Sequence, residues 1–151
     1  MSRISSASIG QSASGEVVRH VLRELSHWWN RHELERVVAL HAADYEGTDV
    51  GCNALQHGPG EVGECFARYW RAFPDLRVVV TECVVEGNRV AASWCARGTH
   101  AGNFMNIPAT SRRVTLRGVC LLTLDGDRIS RGLYVWDVAA FLRAVRLLPD
   151  L

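Results

Sequence analysis

The apolar positions of this chain change period once, near Phe73. Before that point they recur at three and four residues: Val18, Val21, Leu22, Leu25, Trp28 and Trp29, then Leu34, Val37, Val38 and His41, then Val62, Cys65, Phe66, Tyr69, Trp70 and Phe73. Such spacing puts them along one face of successive helices. From Leu76 onward the pattern is that of strands, β-branched runs over 76–86, 89–99, 114–124 and 128–136 joined by compact turns at Gly87-Asn88 and Asp125-Gly126-Asp127. Helices first and a meander afterwards predict an α+β fold, with helices gathered on one face of a curved antiparallel sheet.

The boundaries follow from breakers and caps. Residues 1–15 are polar and small and are expected to be a disordered tail without the apolar stretch of a secretory signal, leaving 16–151 as a single domain. The second helix is expected to run on into Ala42-Ala43-Asp44, Tyr45 to Val50 to form a short strand, and Gly51 to Gly60 to form a loop. Pro59 sits at the first position of the third helix, and Pro74-Asp75 ends it. His100 to Arg113 reads as a longer connection, and Asp137 as the N-cap of a terminal helix reaching Leu148.

Charge and motifs exclude several functions. A formal charge of +1 supplies no field to gather phosphates, so nucleic acid is not an expected partner, and no window of about 20 apolar residues suggests a membrane span. All seventeen basic residues are arginine, which removes lysine Schiff-base and phosphate-loop chemistry. The five cysteines, Cys52, Cys65, Cys83, Cys95 and Cys120, form no CxxC pair and fit reduced, buried thiols of a cytoplasmic protein. With no HExxH, GxGxxG or GxSxG motif, neither a cofactor nor a metal is expected. Strands such as 77–85 and 119–124 are apolar on both faces, and a second subunit packed sheet against sheet, as a homodimer, would cover the outer one.

Several segments resemble the SnoaL-like polyketide cyclase family. They are Phe73-Pro-Asp-Leu-Arg-Val, Glu86-Gly-Asn-Arg-Val-Ala-Ala-Ser-Trp94, and the run from Gly98-Thr-His100 through Gly102 and Pro108 to Arg112-Arg113-Val, with Asp125-Gly-Asp-Arg-Ile-Ser and Trp136-Asp137 closing the series. The likeness covers most of 16–149. It implies the cone-shaped α+β barrel of ketosteroid isomerase-like and nuclear transport factor-like proteins, with helices closing the cone around an interior pocket.

In cyclases of that family a carboxylate near the end of the last strand is the acid/base for an intramolecular aldol ring closure, with a histidine on the neighbouring strand. The matching positions here hold Tyr134, three residues before Asp137, and Cys120. A phenol with an ordinary pKa near 10 is only about 0.1% ionised at pH 7, so it cannot inherit the base's role. It can donate a hydrogen bond to a developing enolate oxygen. Asp49, at the end of the short first strand, is then the expected base, ahead of His57 and His100, because an apolar cone would raise its pKa toward neutrality.

An apolar or aromatic small molecule is the expected substrate, against Trp29, Tyr45, Phe66, Tyr69, Trp70, Trp94, Cys120 and Trp136, although such rings are first of all core residues. The function so implied is ring closure or isomerisation of a polyketide-type ketone by enol or enolate chemistry. The alternatives are a hydroxylase component or an epoxide-opening or ether-forming enzyme of antibiotic pathways, and a noncatalytic dimeric ligand-binding protein.

Overall fold

The computed structural model describes residues 14–151, so the tail expected over 1–15 lies outside the described residues except for Ser14 and Gly15, which belong to the first helix and its cap. Helix α1 spans Gly15–Asn30, capped by the Ser14 hydroxyl, which accepts from the Val17 amide at 3.3 Å. It is followed by α2 (Leu34–Ala39), β1 (His41–Asp49), β2 (Ala54–His57), α3 (Gly58–Ala72), β3 (Arg77–Glu86), β4 (Arg89–Thr99), β5 (Arg113–Asp125), β6 (Arg128–Trp136) and α4 (Val138–Ala144). The six strands form one curved, unclosed sheet in the order β2-β1-β6-β5-β4-β3, and the fold is α+β.

Three boundaries and one strand direction differ from the expectation. The second helix stops at Ala39, because the Ile129 amide takes the Leu40 carbonyl at 2.8 Å and draws His41–Asp49 into the sheet beside β6. The expected loop before α3 contains β2, a four-residue strand paired antiparallel with Glu46–Asp49. The sheet is mixed rather than wholly antiparallel, since β1 and β6 run parallel. Finally, α4 ends at Ala144, where Arg146 turns to φ 62° and the Leu147 amide folds back onto the Leu142 carbonyl at 2.8 Å. Asp137 caps α4 as its sequence suggests, accepting from the Ala140 amide at 3.0 Å.

Helices α1 and α3 lie over the concave face of the sheet. One core cluster joins Val18, Val21, Leu22 and Leu25 of α1 to Phe66 and Trp70 of α3 and to Leu122, Leu124 and Ile129 of the sheet. A second, toward α4, packs Phe73, Leu76, Phe104, Leu116, Trp136 and Phe141. Burying a Phe such as Phe141, which has no exposed surface, stabilises enough that truncation to Ala should cost about 3–5 kcal/mol.

Candidate active site

Strand register stacks the inward-facing residues in rows across the sheet. One row runs Gln56, Gly47, Gly132, Leu122 and Val90 from β2 through β1, β6 and β5 to β4. The next holds Ala54, Asp49, Tyr134, Cys120 and Ala92 in the same order. A third holds Trp136, Gly118, Trp94 and Val80. Because side chains alternate faces with a period of two, these three rows share the concave face.

Between that face and the helices is a hollow of about 100 Å³. Its walls are nearly all carbon, from Leu22, Leu25, Trp29, Phe66, Leu76, Trp94 and Leu116, and its half-buried lining residues Ser26, Val78 and Val80 stand where α1 faces β3. The polar residues Asp49, Gln56, Tyr69 and Tyr134 are also among its lining.

Asp49 is 3% exposed and has no cationic partner among the described residues. Four hydrogen-bond donors surround its carboxyl group instead, as a buried polar group requires. Oδ1 accepts from the Cys52 amide and from the Trp136 indole, each at 3.2 Å, and Oδ2 accepts a short bond from the Tyr69 hydroxyl. The Cys65 thiol stands 3.9 Å from Oδ2. Burial, then the neighbouring carboxylate, pushes the Tyr69 phenol far above its ordinary pKa, which keeps it a donor.

Tyr134 is the register partner of Asp49 on the adjacent strand, and its ring meets Phe66 edge-on at 5.9 Å. Its hydroxyl is shielded from solvent and makes no hydrogen bond among the described residues. Burial raises its pKa well above the usual value of 10, with Tyr45 and Cys120 adding to the shift, so the group is a neutral donor. Burial likewise pushes the Cys120 thiol to about 11, which makes it packing rather than a nucleophile.

Of the ligand-contact residues expected from the sequence, Trp29, Phe66, Tyr69, Trp94, Cys120 and Trp136 line the hollow, and Tyr45 and Trp70 do not. Tyr45 is buried behind the row of Gln56, its hydroxyl lying against Gly47 and Gly132. Trp70 packs in the core one turn along α3 from Phe66, where it stacks on His32 at 4.9 Å and meets Trp29 at 5.7 Å.

Neither histidine weighed as a base reaches the hollow. His57 is exposed and pairs with Glu61 at 3.4 Å, while His100 is buried against Phe73 and Phe141 with Nδ1 3.0 Å from the Thr110 hydroxyl. Gln56 was missed because its strand is only four residues long and flanked by turn residues. No three His, Cys, Asp or Glu side chains cluster as metal ligands would among the described residues, nor is any described helix long and apolar enough to cross a membrane.

Comparison with known proteins agrees with this fold. AclR of Streptomyces galilaeus, provisionally a hydroxylase, superposes with a TM-score of 0.81 at 23% identity, over 91% of this chain and 90% of that one. IdmH of Streptomyces antibioticus, provisionally a polyketide cyclase, gives 0.72 at 25% identity over 85% of this chain and 98% of its own. A Catenulispora acidiphila protein with the ketosteroid isomerase-like fold gives 0.73 at 18% identity over 85% and 93%. No curated protein matches the chain. The model of the SnoaL-like polyketide cyclases matches residues 19–145, from the second turn of α1 to just past the end of α4, and the chain belongs to that family.

Proposed function

We propose that the protein binds a carbonyl-bearing apolar small molecule and promotes enol or enolate chemistry on it, a ring closure or an isomerisation. The observation that carries this reading is the pairing of Asp49 with Tyr134 on one face of two adjacent strands, both lining the hollow. A carboxylate can take a proton from the carbon beside a carbonyl, and an unpaired phenol can steady the negative oxygen that results. In a site walled by carbon, a neutral donor aimed at that oxygen is worth far more than in water.

The hollow is smaller than the roughly 300–1,000 Å³ of drug-sized ligand sites, so it would seat the reacting head of the ligand. The remainder would run out between α1 and β3. Similarity to IdmH supports a polyketide-type ketone. Tyr134→Phe is expected to lower kcat with little change in ligand affinity, and Asp49→Asn to lower it by about 10²–10⁴. Unchanged turnover in both would reject the assignment, and label from ¹⁸O₂ in the product would favour the hydroxylase suggested by AclR's name.

One observation favours a second reading. All of the roughly four acceptor sites on Asp49 are already filled, by Tyr69, Trp136, the Cys52 amide and the Cys65 thiol at 3.9 Å, which leaves none free for a proton. A ligand-binding protein without turnover would satisfy the same geometry, and tight binding with no product would identify it.

The chain is also proposed to work as a homodimer. Leu55, Leu121, Val119, Val135, Val84 and Val79 are exposed on the convex face of the sheet, where a second copy would cover them.

A further inference from the structure

A second cleft, of about 390 Å³, opens at the C-terminal end of α3 and shares no lining residue with the hollow. Arg68 and Arg71 of α3 line it together with the segment from Asn103 to Asn106 and with Cys52. Residues three apart on a helix are neighbours, so the two guanidinium groups serve one space. Both arginines are exposed, neither pairs with a carboxylate among the described residues, and no acidic residue lines the cleft. Two positive charges therefore stand in one concavity of a chain whose whole formal charge is +1.

The backbone brings the opposite wall to the arginines. The Ala101 and Gly102 amides donate to the Ala72 carbonyl at 2.9 and 3.0 Å, which ties this segment to the last residue of α3. A Cβ on Gly102 would lie 2.3 Å from the Arg71 carbonyl oxygen, so glycine is what permits the approach. Phe104 and Ile107 then exchange both backbone hydrogen bonds, at 3.0 and 2.8 Å, around a tight turn in which Met105 and Asn106 take φ of 52° and 60°. Asparagine suits such a turn and methionine does not. Met105 is also 39% exposed, so burial does not offset its strained backbone, and strain of this kind clusters where a ligand uses the conformation.

We propose that this cleft binds an organic phosphate monoester, its phosphate group on Arg68 and Arg71 and its organic part against Met105 and Phe104. A phosphate monoester carries a charge of about −1.5 to −2 at pH 7, which matches the two arginines better than a carboxylate does. Guanidinium forks donate in pairs to phosphate oxygens, and the Asn103 and Asn106 amides add neutral donors beside them. The apolar side chains on the same cleft favour an ester over the free anion. The proposal does not rest on the chemistry proposed for Asp49 and Tyr134. Tyr69 separates the two cavities: it lines the hollow, while its ring lies 5.2 Å from that of Phe104 and its hydroxyl 3.3 Å from the Cys52 sulfur.

The chain has two methionines, Met1 and Met105, so ¹³C-methyl labelling of methionine places one of two NMR signals in the cleft, and Met105→Leu identifies it. Phenyl phosphate titrated into the full chain at low salt is expected to move the Met105 signal saturably, with inorganic phosphate and benzoate each binding several times more weakly. The double variant Arg68→Gln/Arg71→Gln is expected to weaken phenyl phosphate binding about tenfold, and added salt to weaken it in the wild type. Arg68→Gln alone, expected to weaken it about threefold, carries the test if the double variant does not fold. Arg23→Gln/Arg89→Gln removes the same charge from two exposed positions outside the cleft and should leave binding unchanged. No saturable shift at millimolar phenyl phosphate, or equal weakening in the two double variants, overturns the proposal. Inorganic phosphate or benzoate bound as tightly as phenyl phosphate overturns the assignment to a phosphate monoester.

Discussion

The Trp136 indole N–H donates to Asp49 Oδ1 at 3.2 Å, joining the last residue of β6 to the last residue of β1. The two strands run parallel, so both residues lie at the same end of the sheet, and both line the hollow. Trp136 is thus both a wall of the site and one of the donors that satisfy the buried Asp49 side chain.

Trp136→Phe keeps an aromatic ring but removes that donor and opens a small void. Hydrogen bonds to charged groups contribute about 1.5–3 kcal/mol, and adding the lost volume gives an expected destabilisation of about 2–4 kcal/mol. Urea unfolding checks this, and a loss below about 1 kcal/mol would show that Asp49 does not depend on the indole.

Tyr134→Phe should behave in the opposite way. Its hydroxyl is shielded from solvent and unpartnered, so deleting it removes an uncompensated desolvation cost. The variant is expected to equal the wild type in stability or exceed it by up to about 1 kcal/mol, while losing activity. A clear loss of stability would mean that the hydroxyl has a structural partner after all.

Acid should weaken the fold through His41. Its ring is 3% exposed, between Tyr45 and Phe66, and burial pushes its pKa down to about 4, against hydrogen bonds to the backbone of Val37 and Val38 that act to raise it. The unfolded chain, with a histidine pKa near 6.5, therefore binds more protons, and stability falls as pH drops from about 6.5 to about 4. The full difference is about 3 kcal/mol. His41→Gln should flatten the stability profile across that window, and an unchanged slope would assign the acid sensitivity to other groups.

The dimer proposal predicts that Leu121→Glu, which places a charge in the middle of the convex apolar face, converts dimer to monomer in sedimentation velocity. A wild-type protein that is monomeric at micromolar concentration would contradict it.

Period alone distinguishes α1 and α3 from β3–β6, because each of those elements is long and turns one face inward. It fails where long-range pairing decides. His41 follows Val37 and Val38 at helical spacing, yet its backbone is claimed by β6, a partner more than 80 residues away. Gln56 is hidden for the same reason, since β2 exists only by pairing with β1. Asp49 and Tyr134 could be singled out by position at strand ends and by family resemblance. That they are register partners, and that Tyr69 and Trp136 converge on the carboxylate, follows from the parallel pairing, which no local pattern encodes.

The most direct test is hydrogen–deuterium exchange at the α-carbons of cyclohexanone in D₂O, followed by NMR, since enolisation is the step that Asp49 and Tyr134 are proposed to share. The wild type should accelerate exchange well above the buffer rate, with Asp49→Asn lowering it by about 10²–10⁴ and Tyr134→Phe lowering it as well. Exchange at the buffer rate in the wild-type protein, with cyclohexanone shown to be bound, would contradict enolate chemistry in this hollow.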